Sequence, residues 1–202
     1  MTDGDHYFTA SPASEAELRP LTVRLAGRDV TVTVANGVFS AERLDAGTGV
    51  LLEAAPAPPV EGDLLDLGCG WGPIAITLAF RSPGATIWAV DVNERSLELT
   101  RRNVDALGLG NVRVAHPNDV PGHIRFAAIW SNPPIRVGKA ALRGMLQQWL
   151  GRVIPGGDAW LVVPRNLGAD SLHRWLQQEL PEWTVTREAS ERGYRVLQAL
   201  ND

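Results

Sequence analysis

An apolar run, Leu64-Leu65-Asp66-Leu67, ends on Gly68-Cys69-Gly70-Trp71-Gly72, and Pro73 then opens a stretch with helical character through Phe80. No other feature of the chain limits its fold as tightly. A buried strand that turns over a few glycines into a helix is the first half of a strand-helix-strand unit, and such units build parallel sheets covered on both faces. The alternation continues downstream. Short apolar, partly β-branched runs lie at Thr86 to Val90, Val112 to Ala115, Ala127 to Trp130 and Ala159 to Val163. Helical patterns fall at Glu94 to Leu107, Ala140 to Leu150 and roughly Asp170 to Glu179. Thr184 to Glu188 and Tyr194 to Ala199 read as a closing hairpin, so one edge of the sheet is expected to be antiparallel. The predicted class is α/β: a Rossmann-like, mostly parallel sheet with helices on both faces.

Upstream the pattern differs. Residues 1–20 show no periodicity and read as an irregular arm. Leu21 to Leu25 and Val30 to Val34 alternate around Ala26-Gly27-Arg28-Asp29, a hairpin signature, and Asn36-Gly37 marks a turn. Leu44, Thr48, Leu51, Leu52 and Ala55 have helical spacing. The stiff Ala55-Pro56-Ala57-Pro58-Pro59 connector follows. The expected organisation is an N-terminal arm, hairpin and covering segment over 1–60 and a main unit over 61–202, together one structural domain.

Composition narrows the function classes. With 45% hydrophobic and 21% charged residues, the chain has the makeup of a globular protein rather than a disordered one. Its 19 basic and 23 acidic residues give a net charge of −4, so no global basic field advertises nucleic acid, although a local patch can suffice. Cys69 is the only cysteine and fits a reducing compartment. The N-terminus lacks the pattern of a signal peptide, and no apolar run approaches a membrane span. The expectation is a cytoplasmic protein with no membrane partner.

The glycine turn sits where open α/β sheets bind ligands, at the carboxyl end of a strand. Gly68, Gly70 and Gly72 let a ligand approach the backbone, and Pro73 suits the first turn of a helix. A dinucleotide fingerprint wants a glycine where Pro73 stands, which disfavours a nicotinamide oxidoreductase. The Gly-x-Gly-x-Gly spacing after Asp66 instead resembles the first motif of S-adenosylmethionine-dependent methyltransferases. Asp91, with Val92 beside it, ends the next strand, where a carboxylate can accept hydrogen bonds from both ribose hydroxyls. The following contact, to an adenine amino group, falls at Asn118 or Asp119; the sequence does not choose between them.

The second motif is Ser131-Asn132-Pro133-Pro134-Ile135, after the strand ending at Trp130. In a doubly wound sheet this strand lies beside the first, so both motifs share one crevice. An exocyclic amine is a poor nucleophile because its lone pair is delocalised. The Asn132 oxygen can accept one of its N–H groups and the Pro133 carbonyl the other, aiming the lone pair at a methyl group. The prolines restrict the backbone and pre-aim the carbonyls. A sulfonium donor supplies the electrophile, so no metal or covalent nucleophile is needed. Taken alone, Asn-Pro is more often a plain turn; its place after a strand and downstream of the glycine turn favours the clamp.

Together these residues resemble the small-domain methyltransferases, a family that includes ribosomal RNA guanine-N2 methyltransferases. The resemblance extends to Gly37-Val38-Phe39-Ser40 and Leu44-Asp45-Ala46-Gly47-Thr48, similar to the family's cofactor-covering segment, and to Gly193-Tyr194-Arg195-Val196, similar to its closing hairpin. It implies a seven-stranded sheet and S-adenosylmethionine as cofactor. The cofactor set would be Phe39, Thr48, Asp66, Gly68, Cys69, Gly70, Gly72, Asp91, Val92, Asn118, Asp119 and Asn132. The catalytic set would be Asn132, Pro133, Pro134 and Ile135. The implied substrate is RNA, with guanine N2 in ribosomal RNA as the acceptor. Two departures stand out. The guanine-specific members carry a second, degenerate domain ahead of the catalytic one, and only about sixty residues stand there in this chain. The family's aromatic residue after the prolines, suited to base stacking worth about 1–3 kcal/mol, is here Ile135. A protein glutamine amide is the alternative acceptor, although its enzymes usually carry Tyr at that position. A non-catalytic cofactor-binding module is a third reading, which the intact Asn132-Pro133-Pro134 disfavours.

Other residues divide into candidate contacts and packing. Arg136, Lys139 and Arg143 follow the clamp and could pair with phosphates; Arg165-Asn166 could join them. Arg192 and Arg195 read as surface charges. His6, His116, His123 and His173 show no metal spacing with Cys69. Cys69 is expected to line the pocket by its backbone while its thiol packs. Trp149, Trp175 and Trp183 read as packing residues, and Trp71 as a candidate wall of the pocket. Oligomeric state is not legible.

Overall fold

The computed structural model describes residues 16–202, so most of the expected irregular arm, and His6, lie outside the described residues. The described chain opens with an antiparallel pair, β1 (Arg19–Leu25) and β2 (Arg28–Val34). Arg19 and Pro20 therefore belong to a strand, not to the arm; Pro20 tolerates the ladder because the pair has an open edge. Helix α1 (Ala46–Ala54) follows. The main body is β3 (Asp63–Leu67), α2 (Pro73–Arg81), β4 (Thr86–Val90), α3 (Glu94–Ala106), β5 (Val112–Ala115), β6 (Phe126–Ser131), α4 (Lys139–Leu150), β7 (Val153–Pro164), α5 (Ala169–Glu179), β8 (Trp183–Glu191) and β9 (Tyr194–Asn201).

The main sheet has seven strands in the order β5-β4-β3-β6-β7-β9-β8. The first five in that order are parallel, and β9 pairs antiparallel with both β7 and β8. This is the Rossmann-like sheet with a closing antiparallel hairpin that the sequence predicts. The chain order reverses between β3 and β6, and that switch point opens the crevice at their carboxyl ends. Strand β7 begins earlier than the apolar run at Ala159 suggests. Val153 pairs with Phe126, after which an exposed bulge through Ile154-Pro155-Gly156 restores the register at Asp158.

Apart from the β7 bulge, the central strands are buried almost throughout, and successive side chains alternate between two cores as pleating requires. Leu64, Ile87, Ala89, Ala128, Trp130, Trp160 and Val162 face a core shared with α1, α2, α3 and the β1–β2 hairpin. Leu65, Val90, Ile129, Leu161 and Val163 face a second core beneath α4 and α5. Trp149 and Trp175 are buried in that second core and Trp183 packs against it, as expected. Beyond the packing of the N-terminal hairpin in the first core, Arg28 of β2 lies over the Phe80 ring of α2 at 4.6 Å, and one side chain ties the hairpin to the main body by hydrogen bonds. Asn103 of α3 accepts from the Thr33 N–H at 2.7 Å and donates to the carbonyls of Thr33 and Trp71 at 3.0 and 2.9 Å.

Candidate active site

The carboxyl end of β3 passes into α2 through the glycine turn, and hydrogen bonds from neighbouring elements fix each part of it. The Gly68 and Cys69 N–H groups donate to the Val90 carbonyl, at 2.8 and 3.0 Å, tying the turn to the end of β4. Gly68, Gly70 and Gly72 have φ of 82°, 59° and 96°, a region that disfavours side chains. Above Gly68 and Gly70 a Cβ would meet no atom within 4 Å, so the turn faces open space on the ligand side. Beneath it, the Thr100 hydroxyl donates to the Gly70 carbonyl at 2.9 Å.

Asp91 and Asp66 each hold a different part of this turn and of the helix it opens. Asp91 stands at the end of β4 and accepts the Gly70 N–H at 3.0 Å and the Asn93 N–H at 2.9 Å. Burial raises its pKa, against the pull of those N–H donors. Asp66 has no exposed surface. Its Oδ2 accepts the Ala75 N–H of α2 at 2.9 Å, and among the described residues its Oδ1 has no hydrogen-bond partner. Burial pushes its carboxyl up to about 8, opposed by the Ala75 N–H and reinforced by the charge of Asp91.

This arrangement selects the ligand class. In dinucleotide sites the pyrophosphate rests on the free N–H groups of the helix that follows the glycine turn. Here Pro73 removes one of those groups and the Asp66 carboxyl occupies another. The pocket between the turn and β6 is lined by Phe39, Ser40, Asp45, Thr48, Gly68, Cys69, Gly70, Trp71, Pro73, Ile74 and Asn132, whose one charged member is Asp45. A pocket whose one charge is a carboxylate, with the Asp91 carboxyl beyond its lining at the end of β4, suits a positively charged sulfonium carrying a ribose and does not suit a pyrophosphate. The residues present thus fit S-adenosylmethionine.

Opposite the turn stands Asn132, at the end of β6. Ser131 secures that strand end with a buried hydroxyl that donates to the Leu67 carbonyl at 2.6 Å. The Asn132 Nδ2 donates to the Asp45 carboxylate at 2.8 Å and to the Thr48 hydroxyl at 3.1 Å. Both of its N–H groups are thereby engaged, and Oδ1 is the end available to accept. Asp45 is also the N-cap of α1, accepting the Thr48 N–H at 2.9 Å. The Pro133 carbonyl accepts the Ile135 N–H at 2.8 Å, closing the turn after the clamp with one of its two lone pairs.

The remaining sequence expectations divide. Phe39 and Thr48 line the pocket, Phe39 with 39% of its surface exposed. The Cys69 thiol packs beneath the turn, near the Thr100 hydroxyl, with its pKa raised by burial and then by Asp91 and Asp66. Trp71 is a buried wall whose indole donates to the Ser40 carbonyl at 3.3 Å. Val92 is exposed beside Asp91. Asn118 and Asp119 form an exposed turn beyond β5, on the same sheet edge as Asp91 but outside the lining of this pocket. Arg192 pairs with Glu53 at the surface, whereas Arg195 is largely buried in an ion pair with Asp170 of α5. Among the described residues no cluster of three or more His, Cys, Asp or Glu is placed to hold a metal, and no helix is long and apolar enough to cross a membrane. Asp45 is the participant that sequence reasoning missed. Its signal was an Asp three residues before Thr48 at the head of an apolar stretch, an N-cap pattern.

Known proteins resemble this chain over most of its length. The chain is 33% identical over 198 residues to uncharacterized protein YbxB of Bacillus subtilis, covering 96% of this chain and 98% of that one. It is 35% identical over 173 residues to ribosomal RNA small subunit methyltransferase C of Chromohalobacter salexigens, covering 81% of this chain and 49% of the relative. Its structure superposes on that of the T. thermophilus 16S rRNA N2 G1207 methyltransferase in complex with AdoMet and guanosine, with a TM-score of 0.80 and 26% identity, covering 95% of this chain and 52% of that one. The chain thus spans about half the length of these two ribosomal RNA methyltransferases. The family model for the methyltransferase small domain matches residues 29–198, and the chain belongs to that family of S-adenosylmethionine-dependent enzymes.

Proposed function

We propose that this methyltransferase modifies the exocyclic N2 amine of a guanine in ribosomal RNA. The observation that carries the proposal is the orientation of the Asn132 amide. Asp45 and Thr48 hold its Nδ2 end, so Oδ1 is presented to accept an N–H. The second lone pair of the Pro133 carbonyl accepts a hydrogen bond from the other amine N–H, and the proton that the nitrogen sheds after methyl transfer passes to solvent. Two acceptors on one nitrogen oppose delocalisation of its lone pair and aim it, so that the rate gain comes from positioning and a fixed electrostatic environment. S-adenosylmethionine, when bound, supplies the electrophilic methyl group. Asp91 holds the ribose hydroxyls, the glycine turn admits the donor close to the backbone, and Phe39, Thr48 and Trp71 wall the pocket. Asp66 acts from below, fixing α2 under the turn. Ile135 covers a base face without aromatic stacking.

The choice of guanine and ribosomal RNA draws support from the relatives, two of which are named for ribosomal RNA methylation and one of which was solved with guanosine. Tritiated donor should label ribosomal RNA from cells lacking the gene, and nucleoside analysis should recover N2-methylguanosine. Asn132→Ala should lower transfer by about 10²-fold or more, the scale for losing one preorganised hydrogen-bonding group, while calorimetry shows donor binding retained. Label recovered in protein glutamine instead, or full turnover by Asn132→Ala, would overturn the proposal.

A further inference from the structure

A second cavity, of about 230 Å³, opens between α4 and α5 on the far side of the clamp. Its apolar floor is Ile135, Leu142, Val163 and Leu172, and its rim carries Arg136, Lys139 and Arg143. No acidic side chain lines it. Ile135 directly follows Pro134, so the groove begins where the acceptor clamp ends. Arg136 and Lys139 are exposed, and among the described residues neither has a carboxylate partner. Arg143 is anchored over the ring of Trp175 at 5.3 Å. Two helices also begin here. Gly138 caps α4 and Gly168 caps α5, neither with a side-chain hydrogen bond, and both glycines line the groove. Asp170, the one acid in the first turn of α5, is turned away into ion pairs with Arg187 and Arg195.

An apolar slot with a cationic rim, adjoining the clamp, matches one nucleotide of a single strand: a flat base on the floor and its 5′ and 3′ phosphates on the rim, one at each of Arg136 and Lys139. We propose that this groove seats the nucleotide flanking the target in single-stranded RNA and so contributes to the choice of substrate. The inference rests on the RNA reading of the acceptor site. An acidic peptide without aromatic side chains would satisfy the rim but has no flat ring for the floor.

The probe is a fluorescein-labelled single-stranded oligoribonucleotide of about ten nucleotides, followed by anisotropy across a salt series with donor binding as the control for folding. A phosphate contact to a single strand contributes about 0.7 to the slope of log affinity against log salt, or roughly fivefold at 0.1 M salt. Arg136→Ala/Lys139→Ala should therefore weaken binding about 25-fold and flatten the slope by about 1.4. Ser171→Glu separates binding from stability. A carboxylate in the first turn of α5 favours the helix yet repels a phosphate, so the melting temperature should hold while oligonucleotide affinity falls, the difference fading at high salt. Wild-type affinity and slope in these variants would sink the inference even if ribosomal RNA is methylated. Groove-dependent binding without any RNA methylation would sink the acceptor assignment and leave the groove intact. Equal competition by polyglutamate, or no binding of the oligonucleotide at all, would overturn the assignment of the groove to RNA.

Discussion

Replacing Asp45 isolates the orientation of the Asn132 amide from its presence. The carboxylate accepts from Nδ2 at 2.8 Å and the Thr48 hydroxyl accepts from the same nitrogen at 3.1 Å. A hydrogen bond to a charged group contributes about 1.5–3 kcal/mol and a neutral one about 0.5–1.5 kcal/mol. Asp45→Asn exchanges the first kind for the second, a loss of about 1–1.5 kcal/mol in the preference for the productive orientation, and kcat should fall roughly 5- to 12-fold. Stability should hold, because Asn caps a helix about as well as Asp. Asp45→Ala removes the bond to Asn132 and the cap on Thr48 together. It should lower kcat by roughly 12- to 150-fold and stability by about 1 kcal/mol. Single-turnover methyl transfer at saturating donor and RNA gives the rate, and thermal unfolding gives the stability. The effect is expected in kcat, because a misoriented amide leaves the proposed donor contacts at the glycine turn and Asp91 in place. If Asp45→Ala turns over within twofold of wild type while losing its helix cap, the amide is oriented by something else and the clamp argument fails.

Two further expectations concern stability. Asp66, with a pKa of about 8 against the usual 3.8, keeps a proton in the folded protein that the unfolded chain releases. The stability it contributes is full below pH 4 and is lost as pH rises toward 8, by up to about 1.4 kcal/mol per pH unit. Urea midpoints of the donor-free protein should thus decline over that window and flatten in Asp66→Asn; parallel curves would place the proton elsewhere. A Cβ on Gly47 would lie 2.6 Å from the Tyr194 ring and 2.9 Å from the Asp45 carboxylate. Gly47→Ala should therefore cost about 1–3 kcal/mol by overpacking and slow methyl transfer through the displaced Asp45, and an unchanged urea midpoint would contradict the packing of α1 against β9.

What the sequence discloses and what it hides divide along contact distance. The strands and helices of the main sheet are legible because each carries its own period; β4 at Thr86–Val90 and β5 at Val112–Ala115 match the apolar runs residue for residue. The glycine turn and Asn132 are legible because their chemistry demands particular residue types in short strings. Asp45 is not, because its partner Asn132 lies 87 positions away and an Asp in that place reads equally well as a simple cap. Arg195 misleads for the same reason. A charge beside a hairpin turn suggests solvent, and only the packing of α5 brings Asp170 to it. The bulge in β7 escapes notice because Ile154-Pro155-Gly156-Gly157 breaks the apolar run while β6 still pairs on both sides of it.

The separation of those contacts also orders the folding of the site. The Gly70–Asp91 bond spans 21 positions, whereas the Asn132–Asp45 bond spans 87. Closing the longer loop costs about 1.3 kcal/mol more in chain entropy. The Gly70–Asp91 contact therefore closes a short loop, whereas the orientation of Asn132 depends on α1 docking at the end of β6. A chain in which α1 has not docked lacks both the Asp45 that orients Asn132 and the Thr48 that lines the pocket, so recovered activity reports this long-range contact.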